Sequence, residues 1–390
     1  MEQDAPQNNS APAAGPARIP DEPAEYRFSW LKSTYLGAGR SERRPFKILM
    51  PILSDSFGEV CHALLIAARI QARFDHALMT FYYRKNRPFK NDLVSLYPYP
   101  FEVMHPKTRE GVPIDVFGGR PFWDPEDLRW QDCILSPRMI GGPFTWGLGN
   151  ECLRVHPVNE PKLHSALLRL GLSPDKWFAV IHYRESTYKH KAYVTNRDSS
   201  PANYEALANY IIDELGGQVV RLGHPEMRPF TPRKGFVDLA RIPDSTRLQA
   251  LACARARFGI TGSAGATCLM GALGLPAVIT EALEAWSPLC EEQYLLTQTL
   301  VLPDGRRLRQ RALLEADLLW EKAIQRSPEG SRLIKCSVAE LQAAARFMLE
   351  RTPDTPAWRP NLVVPPNKTN RLELPHTPEI EPKFFDPPPG

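Results

Sequence analysis

Between Phe178 and Pro276, short apolar runs alternate with amphipathic segments, and Arg, His, Ser and Gly gather where each run ends. That alternation predicts a parallel α/β sheet whose polar clusters share one rim, the place where open α/β sheets hold ligands. Phe178 to Tyr183 is apolar enough for a strand buried on both faces, and it delivers His182, Arg184 and Glu185 to its end. Ser199 or Ser200 can cap the next helix, Pro201 suits its first turn, and Tyr204, Leu207, Ile211 and Leu215 recur on one side before Gly216 and Gly217 stop it. Gln218 to Leu222 is a second strand ending in Arg221, Gly223 and His224. Val237 to Ala240 reads as a third strand, Asp244 or Ser245 as the cap of a helix, and Arg257 to Ile260 as a fourth strand. The turn from Thr261 to Thr267 then offers Ser263, Gly265, Ala266 and Thr267 at a helix start. Small residues there let a phosphate approach the backbone N–H groups.

Upstream, Phe46 to Leu53 is a buried strand, and Glu59 to Phe74 places Val60, Ala63, Leu64, Ala67 and Ile70 on one helical face. Asp55, Glu59 and His62 fall at or near the start of that helix. They either cap and charge its positive end or face a cleft and serve an acceptor as base. The segment from Glu151 to Lys176 separates this first unit from the second. Ser337 and Glu340 form a capping box ahead of an amphipathic helix. The expected organisation is a disordered leader over 1–27, a first α/β domain over 28–155, and a second over 156–335. A helix over 336–352 and a Pro-rich tail over 353–390 complete it.

Composition excludes several classes. With 48 Lys and Arg against 44 Asp and Glu, scattered among one another, a dedicated nucleic-acid surface is not expected. The seven cysteines are far apart without a CxxC pair, which fits reduced thiols in a cytoplasm. No run approaches the roughly 20 apolar residues of a membrane span. Arg40, Arg43 and Arg44 lie in a solvated loop or give peripheral contact with the inner face of a membrane.

The strings HYREST, NRDSSPANY, VVRLGHPEM, VDLA and ITGSAGAT resemble those of a bacterial family of glycosyltransferases found with surface-glycan genes. The resemblance runs in outline from Pro161 to about Arg351. A remoter likeness is to fucosyltransferases with a His-x-Arg strand end. The resemblance implies an α/β fold of GT-B type, two Rossmann-like domains facing a central cleft, with a nucleotide sugar as donor substrate and no further cofactor. Carried over by position, His182, Arg184, Asn196, Arg197, Tyr204, Arg221, Gly223, Ser263 and Gly265 match the family pattern. His224, Ala266 and Thr267 join them as donor-binding candidates. UDP-N-acetylglucosamine 2-epimerases share the architecture, but they carry paired Glu where Ala266, Thr267, Cys268 and Leu269 stand here.

The expected activity is hexosyl or deoxyhexosyl transfer to an acceptor hydroxyl on a glycan or lipid-linked acceptor, in bacterial polysaccharide biosynthesis. No Asp-x-Asp motif falls on a strand-end loop, so the transfer is expected to be metal-independent, and direct displacement assisted by a base would make it inverting. Arg184, Arg221 and the Ser263 to Thr267 turn would stabilise the leaving diphosphate. Asp55, Glu59 and His62 are the candidate bases, with Arg184 as the catalytic cation and Glu185 as a second-domain alternative base. A GT-B epimerase or hydrolase, and a non-catalytic nucleotide-sugar binding module, are the alternatives.

Overall fold

The computed structural model describes residues 46–52, 54–74, 77–83, 87–105, 122–124, 129–131, 133–135, 149–185, 196–284, 288–319, 325–353 and 383–387. The leader, the Arg40, Arg43 and Arg44 patch, and the tail outside 383–387 lie beyond these residues.

Two parallel sheets organise the chain. In the first unit β1 (Phe46–Pro51), α1 (Phe57–Arg73), β2 (Ala77–Tyr82), α2 (Pro88–Val94) and β3 (Phe101–Met104) follow in succession. A short antiparallel pair, β4 (Phe122–Asp124) and β5 (Arg129–Gln131), precedes β6 (Cys133–Ile134). The sheet order is β3-β2-β1-β6, all parallel. β1 lies between two neighbours, which is why FKILMP is apolar almost throughout.

The linker hydrogen-bonds to both units. The Leu153 N–H donates to Ala272 O at 2.7 Å and the Arg154 N–H to Leu96 O at 2.8 Å. α3 (Glu160–Arg169) follows, and its Glu160 pairs with Arg255 of the second unit. That unit contains β7 (Phe178–His182), α4 (Pro201–Asp213), β8 (Gln218–Arg221), β9 (Phe236–Asp238) and α5 (Thr246–Arg255). β10 (Phe258–Gly262), α6 (Gly265–Ala272), β11 (Ala277–Ala282) and β12 (Gln293–Thr297) complete its core. The order β12-β11-β10-β7-β8-β9 is parallel throughout, so the chain reverses its direction of sheet growth between β7 and β10. A ligand crevice opens at such a switch point.

Local chemistry accounts for the helix ends. Ser200 caps α4 by accepting the Asn203 N–H at 3.4 Å, with Pro201 next in line. A three-stranded antiparallel sheet, β13 (Thr299–Val301), β14 (Arg307–Leu308) and β15 (Arg332–Ile334), flanks the second unit; α7 (Arg311–Glu315) lies between β14 and β15. The Ser337 and Glu340 capping box then starts α8 (Val338–Arg351), whose Ala344, Ala345 and Met348 are buried. The tail returns at 383–387, where Phe384 bridges Leu295 of β12.

One hydrophobic core runs through both units, because α1 packs against α6 across the seam. A Cβ on Gly58 would lie 2.9 Å from Gly265 Cα, and one on Gly265 would lie 3.0 Å from Gly58 N. Only hydrogen at both positions lets the two helix starts come this close.

Candidate active site at the sheet switch point

A cavity of about 390 Å³ opens at the carboxyl ends of β7, β8 and β10 and reaches across the seam. His182, Tyr183, Arg184 and Glu185 form one wall, and Ala264, Gly265 and Ala266 bring the start of α6 to another. Gly223 to Pro225, Met227 and the segment Ile242 to Thr246 with Gln249 make a third. Phe57, Pro88 and Phe89 close it from the first unit, the two rings 5.5 Å apart.

His182 is only 8% exposed, and its Nδ1 is buried without a hydrogen-bond partner. Burial, then the nearby Arg221 and Arg184 charges, depress its pKa to about 3, so the ring is neutral near pH 7. A buried ring nitrogen left without a partner costs free energy. Arg184, on the same wall, pairs through Nε with Asp198 Oδ1 at 3.3 Å and keeps its position beside the cavity.

α6 begins at Ala264, which has no side chain able to cap. Thr267 Oγ1 donates to Gly262 O at 2.8 Å and accepts the Ala264 N–H at 3.3 Å. The hydroxyl therefore shapes the turn, and Thr267, a donor-binding candidate, is not in the cavity lining. α1 and α5 also begin without a side-chain cap: Ser56 makes no such bond, and the Ser245 hydroxyl donates to Leu239 O at 3.0 Å. Three helix starts thus present positive potential around one cavity. Neither Asp55 nor Asp244 is the cap that the sequence suggests.

Gly223 holds φ +150, and a Cβ there would meet Met227 Sδ at 2.4 Å. Gln249 grips this glycine from both sides, accepting its N–H at 3.2 Å and donating to its oxygen at 3.0 Å. Gln249, Phe57 and Phe89 carry no motif, and sequence reasoning missed them. Their partners are brought close only by the fold.

Several candidate residues are placed elsewhere. Arg221 is fully buried, and its guanidinium binds Asp238 through Nε and Nη2, both at 2.9 Å. Nη1 donates to Tyr183 Oη at 3.0 Å and Arg228 O at 2.6 Å, and the group lies 4.4 Å from the Phe230 ring centre. It lies off the cavity wall, with its guanidinium bonded within the protein. Tyr204 is likewise a core residue, bonded to Thr280 and packed on Tyr183. Asn196, Arg197 and Ser263 do not line the cavity, and the Asn196 oxygen accepts from Gln298.

The three first-unit bases also lie off the wall. Asp55 pairs with Lys90 at 2.9 Å and Arg87 at 3.5 Å, and the Lys90 bond holds its carboxyl below the usual range. Glu59 is exposed on α1. Burial, aided by the Arg69 charge, lowers His62 to about 4. Their neighbour Phe57 lines the cavity, so the loop borders it although these three residues are not in the lining.

No family model and no curated protein matches the chain. Among solved structures, the ADP-heptose LPS heptosyltransferase II of E. coli is similar at 16% identity and TM-score 0.43, covering 72% of this chain and 99% of that one. A family 9 glycosyl transferase from Veillonella parvula is similar at 12% identity and TM-score 0.49, with 80% and 99% covered. The E. coli heptosyltransferase WaaC with ADP-2-deoxy-2-fluoro heptose is similar at 13% and 0.40, with 72% and 98% covered. Among the described residues, no helix is long and apolar enough to cross a membrane, and no group of three His, Cys, Asp or Glu side chains could hold a metal.

Proposed function

We propose that the chain is a glycosyltransferase that moves a sugar from a nucleotide-activated donor to an acceptor hydroxyl, with the donor diphosphate in the switch-point cavity. The observation that carries this reading is a cavity at the sheet switch point whose walls present both Arg184 and the uncapped start of α6. A diphosphate completes both: it pairs with the guanidinium and sits on the helix N–H groups. These groups stabilise the charge that grows on the leaving phosphate as the anomeric carbon–oxygen bond breaks. Direct displacement by the acceptor inverts the anomeric centre, and the first unit supplies the acceptor side of the cleft. The sugar is a hexose or deoxyhexose, and the product belongs to bacterial glycan assembly at the cytoplasmic face.

The test is thermal unfolding in the presence of UDP-, GDP-, ADP-, CMP- and dTDP-sugars. A donor at 100 times its Kd stabilises the fold by about 2.7 kcal/mol. One donor class should raise Tm, and Arg184→Met should remove the increase. If none of the five changes Tm, the donor-site reading is wrong.

A further inference from the structure

Acceptor transfer requires a group that takes the hydroxyl proton, lies on the cavity and is not already bonded elsewhere. Among the described residues, the acids and imidazoles of the wall are His182, Glu185, His224 and Asp244. Glu185 Oε2 accepts the Arg228 N–H at 3.0 Å and the Tyr183 hydroxyl at 3.4 Å. His224 Nδ1 accepts the Glu226 N–H at 3.3 Å. The buried ring of His182, flanked by two arginines, takes up a proton only in strong acid. Asp244 is exposed to the cavity and makes no side-chain hydrogen bond or ion pair with any described residue.

The backbone sets Asp244 apart as well. It holds φ +51, a left-handed conformation that few residues other than glycine adopt and that Asp tolerates better than most. Strain of this kind persists where the surrounding structure enforces it, often beside a site. Its place on the seam is fixed three residues on, where Arg247 Nε meets Asp92 Oδ1 of α2 at 2.7 Å. A donor held by the second unit would therefore meet an acceptor entering from the first beside this carboxylate.

We propose that Asp244 is the base that deprotonates the acceptor. The inference rests on the donor-site reading above. The acceptor O–H proton passes to an Asp244 oxygen while the acceptor oxygen bonds to the anomeric carbon. The bond from that carbon to the diphosphate oxygen breaks, and its electron pair leaves with the nucleoside diphosphate. Asp244 then loses the proton to solvent.

The experiment measures nucleoside diphosphate release from whichever nucleotide sugar raises Tm, with water and a panel of monosaccharide glycosides as acceptors. Asp244→Asn keeps a residue that tolerates the left-handed backbone, and Asp244→Gly adopts it freely. Both variants should release nucleoside diphosphate about 100-fold more slowly or worse, with donor Kd within about twofold of the parent. Unchanged release in either variant overturns the proposal. So does a loss of donor affinity as large as the loss of rate, which would make Asp244 a binding group. A parent protein that binds donor yet releases nothing with any acceptor also overturns it. Failure of every nucleotide sugar to bind is the separate result that defeats the donor-site reading.

Discussion

Replacing Arg221 by Met separates a structural pin from a phosphate ligand. The guanidinium is fully buried and holds both oxygens of Asp238, the Tyr183 hydroxyl and the Arg228 carbonyl. Methionine fills much of the volume but leaves the Asp238 carboxylate, only 15% exposed, without its partner. Breaking a buried pair from one side costs about 3–5 kcal/mol. The lost donors to Tyr183 and Arg228 act within that figure, because the four contacts form one network. Urea unfolding should therefore show Arg221→Met destabilised by about that amount. The double variant Arg221→Met with Asp238→Asn should recover part of the loss, since no charge is then stranded. A single variant within about 1 kcal/mol of the parent that also loses its nucleotide-dependent Tm increase would refute this assignment and restore a phosphate role.

Burial pushes the Glu281 carboxyl up from 4.5 to about 7, with the Cys336 N–H bond at 3.1 Å opposing the rise. A folded pKa above the unfolded one means stability is intact below 4.5 and is lost as pH rises through about 7. The shift is worth about 3 kcal/mol, so Glu281→Gln should flatten the fall in denaturation midpoint between pH 5 and pH 8; an unchanged slope would contradict it. Gly58→Ala drives a Cβ to 2.9 Å from Gly265 Cα, main chain that cannot step aside cheaply. It should cost about 1–3 kcal/mol and weaken donor binding by shifting the start of α6, whereas parent-like stability would show that the two helices can separate at no cost.

Much of the second sheet is legible in the residues because parallel strands buried on both faces are apolar runs, and Phe178–His182 and Phe258–Gly262 stand out as such. The cap and proline that begin α4 are equally local signals. Arg221 was not legible, because its partner Asp238 lies beside it only through the β8 to β9 register. From sequence, a charge ending a strand looks the same whether it meets a ligand or a neighbouring strand. The loop before α1 is next to the cavity, yet helix phase decides that Phe57 faces it and Asp55 meets Lys90. Asp244 was visible only as a helix-start residue; its freedom from partners and its left-handed backbone are properties of the fold.

The proposed transfer depends on a diphosphate binding in the cavity through Arg184 and the start of α6. Isothermal titration with a nucleoside diphosphate and with the corresponding nucleoside tests this most directly. Two charge-assisted contacts at about 1.5–3 kcal/mol each predict that the diphosphate binds about 100-fold tighter or more. Equal affinity for the nucleoside, or no binding of either, would contradict the account.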